Sequence, residues 1–452
     1  MSGHEATLHD GLLLGHDVRG WVWSGYQRSA LILGPTRSGK TSSVVIPNVL
    51  CAAGAVVTTS TKPDVMEATA RSRNRSGASL LFDPMGTTPD VPGVHRIGWS
   101  PLSGSTSWDG ASDIANSMVS ASQRRSQQAG GARDHWSERS GALLSTLLYA
   151  GALSGEEMGT VVRWADRHHG TDALGLLETN VGSDHPASGL LAGILATDSR
   201  EQSGIWSTTS GVLSAYRSLG ALRTTKSDAL DIESFVDAPH TLYVCSPGRQ
   251  QELLAPLVVG LVREIQSAAY QRSDNDRPVV FALDELANIA PLPDLPQLVS
   301  EGGGQGVLTI GCLQDLSQAR SRWGREADGF LSLFSTTLVL GGVADISTLR
   351  AVSDIAGRTD VTRHSRSTSR DARGARSHSI NASARPEERL AVDEIARSTP
   401  GTGILIDARK RVGRVNLTVA HRDEPWRSLT ARPPRTRIVE NRQGHERSGP
   451  MP

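Results

Sequence analysis

The chain has 452 residues, 38% of them apolar, with 47 Lys and Arg set against 47 Asp and Glu. That length exceeds one small core and predicts about two or three domains, or one domain carrying a large insertion. The balanced charge excludes a global basic field, the simplest footprint of a nucleic-acid binder, so any DNA-facing surface must be local.

Residues 1–30 read as short polar and apolar pieces. The first clear strand is SALILG, followed by the turn GPTRSGKT and the helix-like SSVVIPNVLCAAG. AVVTTS at Ala55 and ASLLFD ending at Asp83 read as two more strands, with a helical pattern through VMEATARSRNR between them. Short apolar runs separated by helix-length segments predict βαβ units and a parallel sheet.

The texture changes near Pro101. From about Leu102 to Leu222 the pattern is helical, interrupted by SQRRSQQAGGARDH, which reads as an exposed loop. Strands resume with TLYVCS, PVVFALDE, GVLTIGCLQD, TTLVLGG and GTGILIDA. The economical reading is one α/β nucleotide-binding domain split by an all-helical insertion. Its parts are an N-terminal segment 1–30, a discontinuous nucleotide-binding domain 31–102 and 226–425, an insertion 103–225, and a tail 426–452.

Two segments read as disordered, because low hydrophobicity leaves little burial to offset chain entropy. One is RTDVTRHSRSTSRDARGARSH from Arg358, the Arg-rich loop 358–376. The other is the Arg- and Pro-rich tail from Arg427. Each is a solvated loop or tail, or a flexible contact to phosphates or an acidic partner.

Cys51, Cys245 and Cys312 stand far apart in apolar contexts, without CxxC, and read as core residues of a reduced compartment. The longest apolar run, ALLSTLLYAGALSG from Ala142, is shorter than the roughly 20 residues of a membrane span and reads as a buried helix. The N-terminus has no basic region leading into an apolar core, so no signal peptide is expected. The expected location is the cytoplasm, or the inner face of the cell membrane through a partner. The thirteen His show no metal-binding spacing.

Three elements carry chemistry. Gly34-Pro35-Thr36-Arg37-Ser38-Gly39-Lys40-Thr41 fits GxxxxGK[ST], between a strand and a helix that continues with Ser42. Its glycines permit a tight turn whose N–H groups meet phosphate oxygens. Lys40 would reach the β- and γ-phosphates of ATP, and the Thr41 hydroxyl would ligate Mg²⁺. In RPVVFALDELAN a buried strand ends in Asp284, placed for Mg²⁺, and Glu285, a natural general base for water. In GVLTIGCLQD, Gln314 ends another buried strand, where a neutral amide can read the γ-phosphate or orient the attacking water. Lys62, Asp64 and Asp83 follow strand ends and are either site-lining or ordinary turn residues.

With these residues in place, the chain resembles the conjugative coupling proteins, the TraG/TraD-like ATPases of type IV secretion and conjugation. The resemblance runs from about Ser29 to about His421. It is carried by GPTRSGKTSSVVIPNVL, TSTKPDV, LFDP, LDELANIAPLPDLPQLVSEGGGQG with CLQDLSQARSRWG, and RPEERLAVDEIARSTPGTGILI. It implies a RecA-like P-loop NTPase domain with an inserted all-α domain, working as a ring, typically a hexamer. Such rings use ATP to move DNA or to recruit nucleoprotein or protein substrates to a secretion channel. Lys40 and Thr41 match the P-loop residues, Asp284 and Glu285 the Walker B pair, and Gln314 the sensor glutamine. The insertion would face substrate-recruiting factors.

Two departures accompany it. Many members carry N-terminal membrane helices; none is expected in this sequence, so it is expected to work in solution or to be held by a membrane-anchoring partner. Many also carry a basic residue around the turn that here reads Glu301-Gly-Gly-Gly-Gln305-Gly306. Without that candidate arginine finger, hydrolysis is slow, or Arg320, Arg322 or Arg350 substitutes. The competing expectations are a HerA/FtsK-like DNA translocase and a low-turnover, ATP-binding adaptor that recruits protein substrates.

Overall fold

Short apolar runs rich in Val, Ile and Leu become strands buried on both faces, because helices cover both sides of a parallel sheet. The computed structural model describes residues 11–122, 132–273, 276–370, 376–409 and 411–430. Its strands are β1 Leu13–Asp17, β2 Gly20–Trp23, β3 Ala30–Leu33, β4 Val56–Ser60, β5 Ser79–Phe82, β6 Val94–Arg96 and β7 Thr241–Cys245. They continue with β8 Val279–Leu283, β9 Val307–Leu313, β10 Thr336–Leu340, β11 Arg358–Arg370, β12 Arg376–Glu388, β13 Thr402–Ile406 and β14 Val412–Asn416.

All but β11 and β12 join one 12-stranded sheet, in the order β2-β1-β14-β13-β10-β3-β9-β8-β4-β7-β5-β6. From β10 to β6 every neighbouring pair is parallel. From β3 the chain crosses β9 and β8 to reach β4, and from β9 it crosses β3 to reach β10. The two crossovers leave in opposite directions, which opens a crevice at the carboxyl end of β3. Along each central strand the side chains alternate between two cores. Leu31, Leu33, Phe281 and Leu283 pack into one, and Ala30, Ile32, Val280 and Ala282 into the other.

The reading of residues 1–30 without strands is corrected. β1, β2, β13 and β14 extend the sheet past β10 with antiparallel pairings, and Leu12, Leu13 and Leu14, at the start of β1, are fully buried. Residues 1–10 lie outside the described residues.

Beyond β6 the chain leaves the sheet at Gly98 and returns beside it. Gly98 N–H donates to Asp228 O at 2.7 Å, and Leu230 N–H donates to Gly98 O at 3.0 Å. Between these points run helices that include Trp108–Ser122, Ala132–Leu153, Met158–Arg167, Thr171–Val181, Pro186–Leu195 and Ser199–Val212. They enclose a core of their own, with Leu144, Leu148, Trp206 and Tyr216, joined by Leu254 and Leu257 from the helix Gln251–Gln271. The run at Ala142 is a buried helix, as expected. The loop expected at SQRRSQQAGGARDH falls largely on residues 123–131, outside the described residues.

One apolar helix went unremarked in the sequence. Among the described residues, Gln251–Gln271 is long and apolar enough to cross a membrane by length and composition. It is 67% buried inside the molecule, wedged between the sheet core and the helical core. That is the packing of a core helix.

The Arg-rich loop is also corrected. Residues 358–370 and 376–388 pair in register as a two-stranded ribbon outside the main sheet. The tail begins later than expected. Trp426–Thr430 is a short helix with Trp426 2% exposed in the core, and residues 431–452 lie outside the described residues. The cysteines are free, and burial pushes the Cys51 and Cys245 thiols up to about 12, which keeps them protonated and unreactive.

Candidate nucleotide site

The site begins where β3 ends. Gly34 N–H donates to Leu313 O of β9 at 3.1 Å, so the loop starts pinned to the next strand. A Cβ on Gly34 would lie 2.5 Å from Ser38 Oγ and 3.0 Å from Leu340 Cβ. Only glycine fits there. Arg37 and Gly39 both adopt positive φ, 65° and 99°, which turns successive N–H groups toward one concavity. A helix follows over Thr41–Cys51, with a wide first turn over Thr41–Val45. Ser42 Oγ donates back to Gly39 O at 3.4 Å.

Lys40 is buried at the helix start. Its Nζ donates to Gly34 O at 2.5 Å and to Pro35 O at 2.9 Å. The ammonium is thus folded over the loop, where incoming phosphate oxygens are the natural replacement for those carbonyls. Thr41 Oγ1 donates to Asp284 Oδ2 at 2.6 Å. This one contact closes the distance between two motifs 243 residues apart. Thr59 Oγ1 of β4 donates to Asp284 O at 2.7 Å and fixes the end of β8. Burial raises the Asp284 carboxyl above its ordinary range, opposed by the Thr41 hydrogen bond and the Lys40 charge.

Glu285 stands beside it with φ 57°, left-handed and unfavourable for a residue with a Cβ. Asn288 Nδ2 donates to Glu285 Oε2 at 3.2 Å and orients the carboxylate. Asp284 and Glu285 share with Thr36, Arg37, Gly39, Lys40, Thr41 and Ser42 a cleft of about 930 Å³. Thr41 and Asp284 are hard oxygen donors already in contact, a pair suited to Mg²⁺. No group of three or more His, Cys, Asp or Glu forms a metal cage among the described residues. That fits an ion completed by water and phosphate oxygens.

Other expected residues divide. Lys62 and Asp64 line the cleft, with Ser60 Oγ donating to Asp64 Oδ1 at 3.3 Å. Asp83 does not. Its carboxylate accepts from the N–H groups of Met85, Gly86 and Thr88 and from Arg96, the work of a turn organiser. Gln314 sits between the ends of β3 and β8, with its N–H donating to Gln318 Oε1 at 2.8 Å, but its side chain is not among the cleft's lining. Arg320, Arg322 and Arg350 also lie off the cleft of their own chain.

His421 and Thr430 line the cleft and were not anticipated. They arrive with the C-terminal segment, anchored by Ala420 N–H donating to Ser42 O at 2.9 Å. No motif marks them; only the fold brings them in. In the GGGQG turn, a Cβ on Gly303 would lie 2.0 Å from Gln27 O, so this position must be glycine, while Gly304 faces open space.

The comparisons with known proteins agree with this architecture. The profile of the family described as type IV secretory system conjugative DNA transfer matches residues 4–399. The conjugal transfer protein TraG of Escherichia coli is 25% identical over 322 residues, covering 65% of this chain and 49% of TraG. VirD4 of Rhizobium radiobacter is 22% identical over 311 residues, covering 66% of this chain and 43% of VirD4. The chain therefore spans about half the length of the curated relatives it matches. Among solved structures, the bacterial conjugative coupling protein TrwBΔN70 superposes with a TM-score of 0.66 at 19% identity, over 87% of this chain and 85% of that one. TrwB in complex with ADP and Mg²⁺ gives 0.66 at 20% identity, over the same shares. The fold is a RecA-like P-loop NTPase with a helical insertion, and the chain belongs to the type IV secretory system conjugative DNA transfer family.

Proposed function

We infer that the protein is an ATP-hydrolysing coupling protein that recruits or translocates a DNA or nucleoprotein substrate for conjugative transfer. The contact between Thr41 and Asp284, with Glu285 in the same cleft, carries this reading. It joins a phosphate cradle, a cation pair and a base around one cavity. TrwB in complex with ADP and Mg²⁺ supports it by analogy of fold.

In this reading the loop N–H groups and Lys40 bind the phosphates, and Lys40 exchanges its loop carbonyls for β- and γ-phosphate oxygens. Thr41 and Asp284 would hold Mg²⁺, which neutralises charge on the phosphates when bound. Glu285, held by Asn288, takes the proton of the attacking water. Gln314, at the end of β9, would read the γ-phosphate or orient the attacking water. The active form is a homo-oligomeric ring, a hexamer by family resemblance, in the cytoplasm or at the inner membrane face through a channel protein. Residues 103–225 form the recruiting domain.

A second reading, the low-turnover adaptor, draws on one observation: none of Arg320, Arg322 and Arg350 lines the cleft of its own chain. ATPase rates with and without single- and double-stranded DNA, on wild type and Lys40→Ala, separate the two. DNA-stimulated turnover lost in Lys40→Ala supports the motor. ATP binding with no DNA-linked turnover sinks it and favours the adaptor.

A further inference from the structure

We propose that the β11–β12 ribbon is an arm that engages duplex DNA through its phosphates. The inference rests on the DNA reading above and assigns that contact to a surface. The ribbon pairs without a break from Arg358↔Glu388 to Arg370↔Arg376. At about 3.4 Å per residue, a 13-residue strand spans roughly 44 Å. Nothing in the 12-stranded sheet pairs with it. Arg389 N–H donates to Gly357 O at 2.9 Å, and Ser353 Oγ donates to Leu390 O at 2.7 Å, so its base is clamped. Further out, Thr362, His364, Ala382, Ala384 and Arg385 are exposed, as is Ile380 at 62%. Two-stranded ribbons are marginal alone in water, so a ribbon this long calls for a partner.

The charge along it selects the partner. Asp360, Glu387 and Glu388 sit at the base, and no Asp or Glu occurs over 361–370 or 376–386. Arg363, Arg366, Arg370, Arg376 and Arg385 occupy those registers. The pattern alternates. His364, Arg366, Thr368 and Arg370 pair with Ala382, Ile380, His378 and Arg376. The intervening pairs are Ser365↔Asn381, Ser367↔Ser379 and Ser369↔Ser377. Residues at alternate positions share a face, so one face carries His364, Arg366, Arg370, Arg376 and His378, and the other carries Arg363 and Arg385 among Ser and Asn; basic residues occur on both faces.

Arg370 is registered directly against Arg376. Like charges in direct opposition destabilise a ribbon. A polyanion turns that cost into binding energy. Arg is also the side chain best matched to phosphate, and Ser and Thr hydroxyls add phosphate contacts. The major groove admits a two-stranded ribbon. An acidic protein surface would satisfy the charge without exploiting the length or the Ser and Thr hydroxyls.

The test uses the full chain and a short duplex, with affinity measured over about 50–200 mM salt. Arg366→Gln/Arg370→Gln/Arg376→Gln should weaken binding and lower the slope of log affinity on log salt by roughly 2.7, about 0.9 per phosphate contact. Changing the same positions to Lys should restore most of the slope. ATPase without DNA and the ATP-dependent thermal shift should stay at wild-type values, which shows that the triple variant folds. If the wild type binds duplex and the Gln variant keeps its affinity and slope, the arm proposal is overturned and the DNA reading survives. It is equally overturned if the Gln variant changes only oligomer size, which would mark a protein-docking arm. Absence of duplex binding by the wild type would bring down the DNA reading and the arm together.

Discussion

Glu285, the proposed general base, sits on an unfavourable backbone. At φ 57° its Cβ crowds the chain, at a cost of about 1–2 kcal/mol, in the place where strain positions a base. Glu285→Gln keeps size, conformation and the Asn288 contact but removes the base. ATP binding should persist while turnover falls by about 10²–10⁴. Glu285→Gly should also end turnover, yet its midpoint in urea should not fall, because glycine takes this conformation freely and offsets its extra chain entropy. A Gln variant with near-wild-type turnover would remove Glu285 from the mechanism. At this scale the convergence of Lys40, Thr41, Asp284 and Glu285 on one cleft was legible, because phosphate and cation chemistry restricts residue type and spacing. The positive φ of Glu285, the absence of Gln314 from the cleft lining, and the arrival of His421 and Thr430 were not readable, since each depends on contacts distant in sequence.

The helix Gln251–Gln271 ties the sheet to the helical region, and Glu264 lies at the junction. Trp99 Nε1 donates to Glu264 Oε2 at 2.6 Å, and Ser103 Oγ donates to the same carboxylate at 3.3 Å. Trp99 and Ser103 belong to the chain as it leaves the sheet. Burial raises the Glu264 carboxyl from 4.5 to about 7 against those two hydrogen bonds. The folded state then holds this proton more tightly than the unfolded chain does. Stability from this group is fully present below pH 4.5 and is lost as pH rises through about 7. The loss is on the order of 3 kcal/mol. Glu264→Gln should flatten this part of the profile, so melting temperatures at about pH 5 and 8 should lie closer together than in wild type. An identical pH dependence in both proteins would show that Glu264 ionises normally. Sequence patterns handled such elements unevenly. β3, β4, β5, β7, β8, β9, β10 and β13 were readable because each holds a buried run of apolar and β-branched residues. β1, β2, β6 and β14 are short or mixed in polarity. The β11–β12 ribbon alternates Ser with Arg, His and Thr, so its period of two was hidden from a search for apolar residues.

On the scale of the whole molecule, the cleft has Lys40, Arg37, Lys62 and His421 on its own side and none of the three candidate finger arginines. If one of those acts, it acts on a neighbouring subunit. Their contacts rank them. Arg320 is held by Asp328 at 2.7 Å and Ser347 at 2.8 Å, and Arg322 donates to Ala121 O at 2.9 Å. Arg350 is exposed on the helix Ile346–Ala356, with no side-chain partner among the described residues. It is the one free to enter another subunit's cleft without breaking an internal bond. Arg350→Ala should therefore lower DNA-stimulated turnover by about 10³ or more while leaving ATP affinity intact. A finger acting between subunits has a further signature. Lys40→Ala subunits have a dead site but an intact Arg350, and Arg350→Ala subunits have the reverse. Mixed rings should recover turnover that neither variant shows alone, because the first supplies the arginine that the second lacks. Mixing under conditions where size measurement shows ring assembly with ATP and Mg²⁺ makes the result decisive. Recovery requires both a ring and a shared site, whereas a protein that stays monomeric, or mixtures that stay inactive, would mean that each cleft works with its own residues alone.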